Sequence, residues 1–189
     1  MPARPTVSKL VTASVTPLLR EHGFQRATLT FDRRRGETTQ IVNVQISHGG
    51  EVFYVNVGWI LHEVRALKAS TTGLSVIGKH VIHHGGRLET FAPALPASWR
   101  VDERAAGDAI RAGLERVLPL LDRVDCARAM LAEVDLDGGF DKVLRAQLAW
   151  ITGDLPRAHA DLHAVAREFA DRQGTSFAQL ARRAGIPTG

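Results

Sequence analysis

The chain has 189 residues, 44% of them hydrophobic, a formal net charge of +4 and one cysteine, Cys126. This size and composition fit one globular domain, or one domain with a helical extension. They exclude disordered and collagen-like chains, and a lone cysteine excludes an internal disulfide and fits a reducing compartment.

Thr6 to His22 is expected to be a helix, because Val7, Leu10, Val11, Val15, Leu18 and Leu19 recur at helical spacing. Pro17 should kink it or mark a restart, and Gly23 is a plausible C-cap with Phe24 packing back behind it. Leu10 to Leu19 is interrupted by Thr12, Ser14, Thr16 and Pro17. Neither a signal peptide nor a membrane span is therefore expected, and the cytoplasm is the expected location.

Three runs with strand periodicity follow. Ala27 to Arg33 alternates, with Leu29 and Phe31 on one side and Thr28, Thr30 and Asp32 on the other. Arg33 to Glu37 reads as a turn. Gln40 to Ser47 places Val42, Val44 and Ile46 against Asn43, Gln45 and Ser47, with Ile41 interrupting the polar row. After His48-Gly49-Gly50, Val52 to Ile60 places Phe53, Val55, Val57 and Trp59 against Tyr54, Asn56 and Gly58. Three such runs joined by short turns predict an antiparallel meander with one face on the first helix.

Leu74 to Ile82 fits a strand or a short helix. His83 to Gly86 reads as a turn, Arg87 to Phe91 as a further strand, and Phe91 to Arg100, with Pro93 and Pro96, as an irregular connection. From Asp102 the period becomes helical: Asp102 to Leu121 with Pro119 bending its end, Asp125 to Val134, Phe140 to Ile151, Leu155 to Asp171 and Ser176 to Ala184. The expected fold is α+β: an N-terminal helix on a meander of four to five strands, then a helical C-terminal region. The division falls at residues 1–123 and 124–189, the second packed on the first.

Chemistry-bearing patterns are few. His80, His83 and His84 run straight into Gly85-Gly86, and no HExxH pattern or Cys/Asp cluster completes a metal site. Solvated or hydrogen-bonded histidines are the simpler reading, and His159 and His163 should lie on the flank of their helix. Arg33-Arg34-Arg35 at a hairpin tip could touch phosphates, but a charged turn also serves solubility, and aromatic interleaving is lacking. Residues 1–100 hold 12 Lys+Arg against 6 Asp+Glu, and residues 101–189 hold 12 against 14. A basic half of this size does not mark a nucleic-acid binder. There is no G-x-S-x-G, no phosphate-cradling loop and no dinucleotide fingerprint, and Cys126 falls in a helical stretch where a buried structural thiol is expected. No catalytic residue, metal or cofactor is expected.

The polar side of the sheet is the most informative feature. Amides are poor strand formers, so Asn43, Gln45 and Asn56 need a reason to be there. They could be solvent-exposed, they could hydrogen-bond the C-terminal helices, or they could form a binding surface with Tyr54 and Arg87.

Leu18 to Phe24, Thr30-Phe31, Gln40 to Gln45 and Phe53 to Gly58, with Arg87, Trp99 and Val117 to Leu121, resemble the bacterial domain-of-unknown-function family DUF4304. A single Trp99 followed by Arg100 stands where that family usually has two tryptophans. The resemblance implies the same order of helix, antiparallel sheet and helices. It implies no activity, and it matches Asn43, Gln45 and Asn56 to the family's polar sheet residues. Ala149 to Ala158, followed by Leu162, resembles half of a tetratricopeptide repeat, although an ordinary helical hairpin is the simpler reading. The function expected is a non-enzymatic protein-interaction domain, immunity- or antitoxin-like in one version. The alternatives are a small-ligand-binding protein or an enzyme with a pocket at the polar face, using Asn43, Gln45, Tyr54, Asn56 and Arg87, and nucleic-acid binding through the basic half.

Overall fold

The structure is a computed structural model that describes residues 3–67, 75–77, 80–103, 105–137, 141–173 and 176–187, without the side chains of 75–77, 80–81 and 169–173. The N-terminal helix forms in three pieces: α1 (Ala3–Leu10), a π-helical turn (Val11–Val15) and α2 (Thr16–Glu21). Pro17 falls in the first turn of α2, where its missing N–H breaks no hydrogen bond, so it marks the expected restart. Val7, Val11, Val15, Leu18 and Leu19 bury the apolar stripe. Gly23 takes φ +81°, its N–H donates to Arg20 O, and that of Phe24 donates to Leu19 O. This is a Schellman cap with Phe24 buried behind it.

The meander comprises β1 (Gln25–Ala27), β2 (Thr30–Arg35), β3 (Thr38–Ile46) and β4 (Val52–Leu61), each antiparallel to the next. The single strand expected over Ala27 to Arg33 is in fact two. The chain reverses at Thr28-Leu29, so Ala27 pairs with Thr30. Neither turn residue is the glycine or proline that punctuates a sequence, which is why alternation alone misses the reversal. In turn, β2 runs on to Arg35, so Arg33 lies within a strand and the turn contracts to Gly36-Glu37. Gly36 takes φ +53°, and a Cβ there would meet Asp125 O at 2.6 Å.

After α3 (His62–Ala66) the chain makes a separate hairpin, β5 (Ser75–Ile77) with β6 (His80–Ile82). Residues 74, 78 and 79 of the stretch expected from Leu74 to Ile82 lie outside the described residues. The chain then returns as β7 (His84–Arg87), which pairs with β4. The expected turn at His83 to Gly86 is thus mostly strand, and the expected strand at Arg87 to Phe91 is helix α4 (Leu88–Phe91). Gly85 mimics a turn signal in sequence, but it is needed for close approach. A Cβ there would come within 2.4 Å of Val57 O and 2.6 Å of Ile82 Cδ1. β8 (Trp99–Arg100) pairs with Val52 and Phe53 farther along the same edge of β4, completing a six-stranded sheet.

Helix α5 (Ala106–Arg123) runs on past Pro119 and buries Ile110, Leu114, Val117, Leu118 and Leu121 in the core that holds the first helix and the inner sheet face. That core also takes in Met130 from α6 (Ala127–Glu133) and Leu144 and Leu148 from α7 (Asp141–Ile151). Cys126 is half-buried at the N-cap of α6 rather than buried within a helix. Its neighbour Ala127 donates its N–H to Glu63 Oε2 at 2.8 Å, so α3 caps α6. α7 and α8 (Leu155–Gln173) form a helical hairpin that turns at Gly153, φ +86°. Arg145 clamps it by donating from Nε and Nη2 to the two oxygens of Asp161, at 2.8 and 2.6 Å. α9 (Phe177–Ala184) starts with a capping box between Ser176 and Gln179 and closes a second cluster with Leu162 and Val165. Among the described residues no helix is long and apolar enough to cross a membrane.

Candidate functional site

The register of the sheet assembles the five candidate residues on its outer face. Thr30 pairs with Asn43, Asn43 with Asn56, and Asn56 with Arg87, so one polar row crosses four strands. Gln45 and Tyr54 pair one step along the strands. On the other side the next row runs Ile41, Gly58 and Gly85, and its two glycines leave space beside Ile41. Ile82 fills that space and packs with Ile41 and Ile60. The apolar residue that interrupts the polar row is therefore the seat of a local cover supplied by the chain between β4 and β7.

At the uncovered end Gln45 and Arg87 are exposed and Tyr54 is half-buried, whereas Asn43 and Asn56 are 6% and 8% exposed. The amides bond along the sheet. Asn43 Nδ2 donates to Thr30 Oγ1 at 2.8 Å, and Asn56 Nδ2 is shared between Gln45 Oε1 at 3.2 Å and Asn43 Oδ1 at 3.4 Å. None of these bonds reaches a C-terminal helix. The Arg87 guanidinium sits 3.9 Å from the centroid of the Tyr54 ring, a cation–π contact that holds both side chains at the surface. Thr28, expected on the same face, lies instead in the β1–β2 turn.

The inner face of the same strands holds a polar group that sequence reasoning missed. Arg33 is buried rather than displayed at a hairpin tip. Its Nε donates to Gln40 Oε1 at 2.7 Å, Nη1 to His22 O at 2.6 Å, and Nη2 to Asp122 Oδ1 at 2.6 Å. Gln40 Nε2 donates to Leu121 O and, at 3.1 Å, to Val124 O, satisfying carbonyls that the end of α5 leaves open. Burial pulls the Arg33 pKa down from its ordinary value, while Asp122 acts the other way. The available signal was parity: Gln40 shares the side of Val42 and Val44, so its amide faces the core.

The histidines serve packing. His83 Nδ1 accepts the Leu61 N–H at 2.9 Å. Burial, with Arg65 and His62 nearby, pushes its pKa down to about 4. His84 stacks on Trp59 and approaches Asp141 at 3.2 Å, tying β7 to α7. His163 stacks on Phe177 with ring centroids 3.9 Å apart. Among the described residues there is no group of three or more metal-binding side chains; the side chain of His80 lies outside them.

A family model described as "Domain of unknown function (DUF4304)" matches residues 15–122, from the last residue of the π turn to the penultimate residue of α5. All five outer-face residues fall inside the match, as do Arg33 and its partners His22, Gln40 and Asp122, and helices α6 to α9 fall outside it. No curated protein and no solved structure matches the chain.

Proposed function

The chain belongs to the DUF4304 family, whose function is unknown, and from the outer face of its sheet we propose a non-enzymatic interaction domain that docks a protein partner there. The observation that carries this reading is unspent bonding capacity at one place. Gln45 Nε2, the Tyr54 hydroxyl and Asn56 Oδ1 have no hydrogen-bond partner among the described residues, and Arg87 makes only a 3.5 Å contact to Ala97 O. An aromatic–arginine pair over a fixed amide row is the composition of an interface anchor, because Tyr and Arg are enriched at interface hot spots and the cation–π contact already orders the arginine. Toxin neutralisation in the cytoplasm is one form such docking takes. The alternative, a small-ligand site at these residues, rests on the same unspent atoms; the two cavities described are lined by other residues. Nucleic-acid binding is weakened by the burial of Arg33, which removes one member of the basic triplet.

The test is the triple substitution Gln45→Ala, Tyr54→Ala, Arg87→Ala. A protein that cross-links to the wild-type chain in its native cells is expected to be lost with the variant while the melting temperature stays put. Retention of that protein by a folded variant moves the interface elsewhere.

A further inference from the structure

Two irregularities of the backbone converge on one side chain. The first is the π-helical turn at Val11–Val15, where Thr16 Oγ1 donates to Val11 O at 3.0 Å. The second is Thr28, a β-branched residue at φ +59°, a conformation that costs energy and persists only where its surroundings enforce it. Arg26 lies between them. Its Nε donates to Thr28 O at 2.7 Å, its Nη1 to Thr12 Oγ1 at 2.8 Å and Thr16 Oγ1 at 2.9 Å, and its Nη2 to Ser8 Oγ at 3.4 Å. Every acceptor is neutral. The guanidinium is held in place while its charge stays uncompensated, which is the reverse of the Arg33 arrangement.

Arg26 lines a cavity of about 330 Å³ together with Arg4, Ser8, Arg20, Thr28 and Leu29. Among the described residues no carboxylate lies within ion-pair distance of Arg4, Arg20 or Arg26. A second cavity of about 400 Å³ adjoins it, shares Arg4 and Leu29, and is bounded by Ile46, Ser47 and His48. Three arginines around a hydroxyl beside a partly apolar chamber match a ligand with a compact, multiply charged oxyanion at one end and an apolar body at the other.

We propose that this groove binds a small molecule carrying a phosphate monoester. The phosphoryl group lies among Arg4, Arg20 and Arg26, and the body of the molecule extends over Leu29 toward Ile46. Arg4 and Arg20 suit the task because a planar guanidinium fork meets two phosphate oxygens at once, while Arg26, with four of its five N–H groups already donated, adds its charge and one remaining N–H. Arg26 is pre-organised by its neutral acceptors, so little side-chain entropy is lost on binding. None of the residues lining the two cavities belongs to the outer-face row.

Isothermal titration calorimetry of the full chain at low ionic strength, with phenyl phosphate and with inorganic phosphate, tests the proposal. Saturable binding is expected, about tenfold tighter for phenyl phosphate, a difference of about 1.4 kcal/mol. It should weaken at high salt because the contacts are ionic. Arg26 also fastens the hairpin to the helix, so the exposed residues carry the test: Arg4→Gln and Arg20→Gln should each weaken binding about tenfold with an unchanged melting temperature. The Gln45/Tyr54/Arg87 triple variant should bind as wild type, which separates this site from the partner surface. Absence of saturable binding, equal affinity for the two probes, or affinity unchanged in both glutamine variants overturns the proposal.

Discussion

Strands β2 and β3 carry two polar groups back to back. On the inner side Arg33 and Gln40 end on a carboxylate and on the backbone carbonyls of His22, Leu121 and Val124, so their bonding capacity is consumed by the joint between sheet and α5. On the outer side Thr30, Asn43, Asn56 and Gln45 bond to one another and to Leu29 O of the β1–β2 turn, and Tyr54 and Arg87 stand over them. The strands are the same and the residue types are similar. What differs is where the bonds terminate. A buried polar group whose bonds end on another element is architecture, because each lost partner strands a desolvated atom. A polar group whose bonds close within one sheet leaves atoms free for something outside it.

The sharpest way to break this comparison is Arg33→Met, which removes three bonds and leaves Gln40 and Asp122 facing an apolar side chain. The expected loss is about 3 kcal/mol in urea denaturation, discounted from that of a fully buried pair because Asp122 is partly exposed. A loss below 1 kcal/mol would remove the architectural reading of the inner group.

The cover over the outer face sets the next two effects. His83 accepts a bond in its neutral form, and its pKa drops to about 4 from 6.5. The unfolded chain therefore binds the proton more readily. This contribution is fully present above pH 6.5 and is lost as pH falls toward 4, by up to about 3 kcal/mol. His83→Asn should flatten the stability profile between those values, measured by denaturation at a series of pH. Gly85→Ala pushes a methyl group against Val57 O and Ile82, and should cost about 2 kcal/mol by parting β7 from β4. If it is neutral, Ile82 is not seated as described.

The smallest effects belong to the outer anchors. Gln45→Ala and Arg87→Ala should each change stability by less than about 0.5 kcal/mol, as exposed residues do. The contrast with Arg33→Met is the measurement that separates spare capacity from joinery.

Much of this was legible in the residues. Alternation in Val42, Val44, Phe53, Val55 and Val57 is a period-2 signal that any half-buried sheet must carry, and it also placed Asn43, Gln45, Tyr54 and Asn56 on one side. The helical stripe from Val7 to Leu19 and the helices after Asp102 were likewise periodic, because each buries one face. Where local signals and tertiary need diverge, the sequence misled. Gly85-Gly86 reads as a turn because glycine is a turn residue, yet here it makes room for Ile82 and the backbone of β4. Thr28-Leu29 turns without any turn residue, and its strained threonine is held by Arg26 of the same hairpin, which is itself anchored on the hydroxyls of the first helix. Arg33 reads as exposed because it is charged and flanked by arginines, and only the arrival of Asp122, 89 residues later, makes its burial tolerable. Periodicity reports which face of an element meets a core; which distant group meets a buried charge is decided only when the chain has closed.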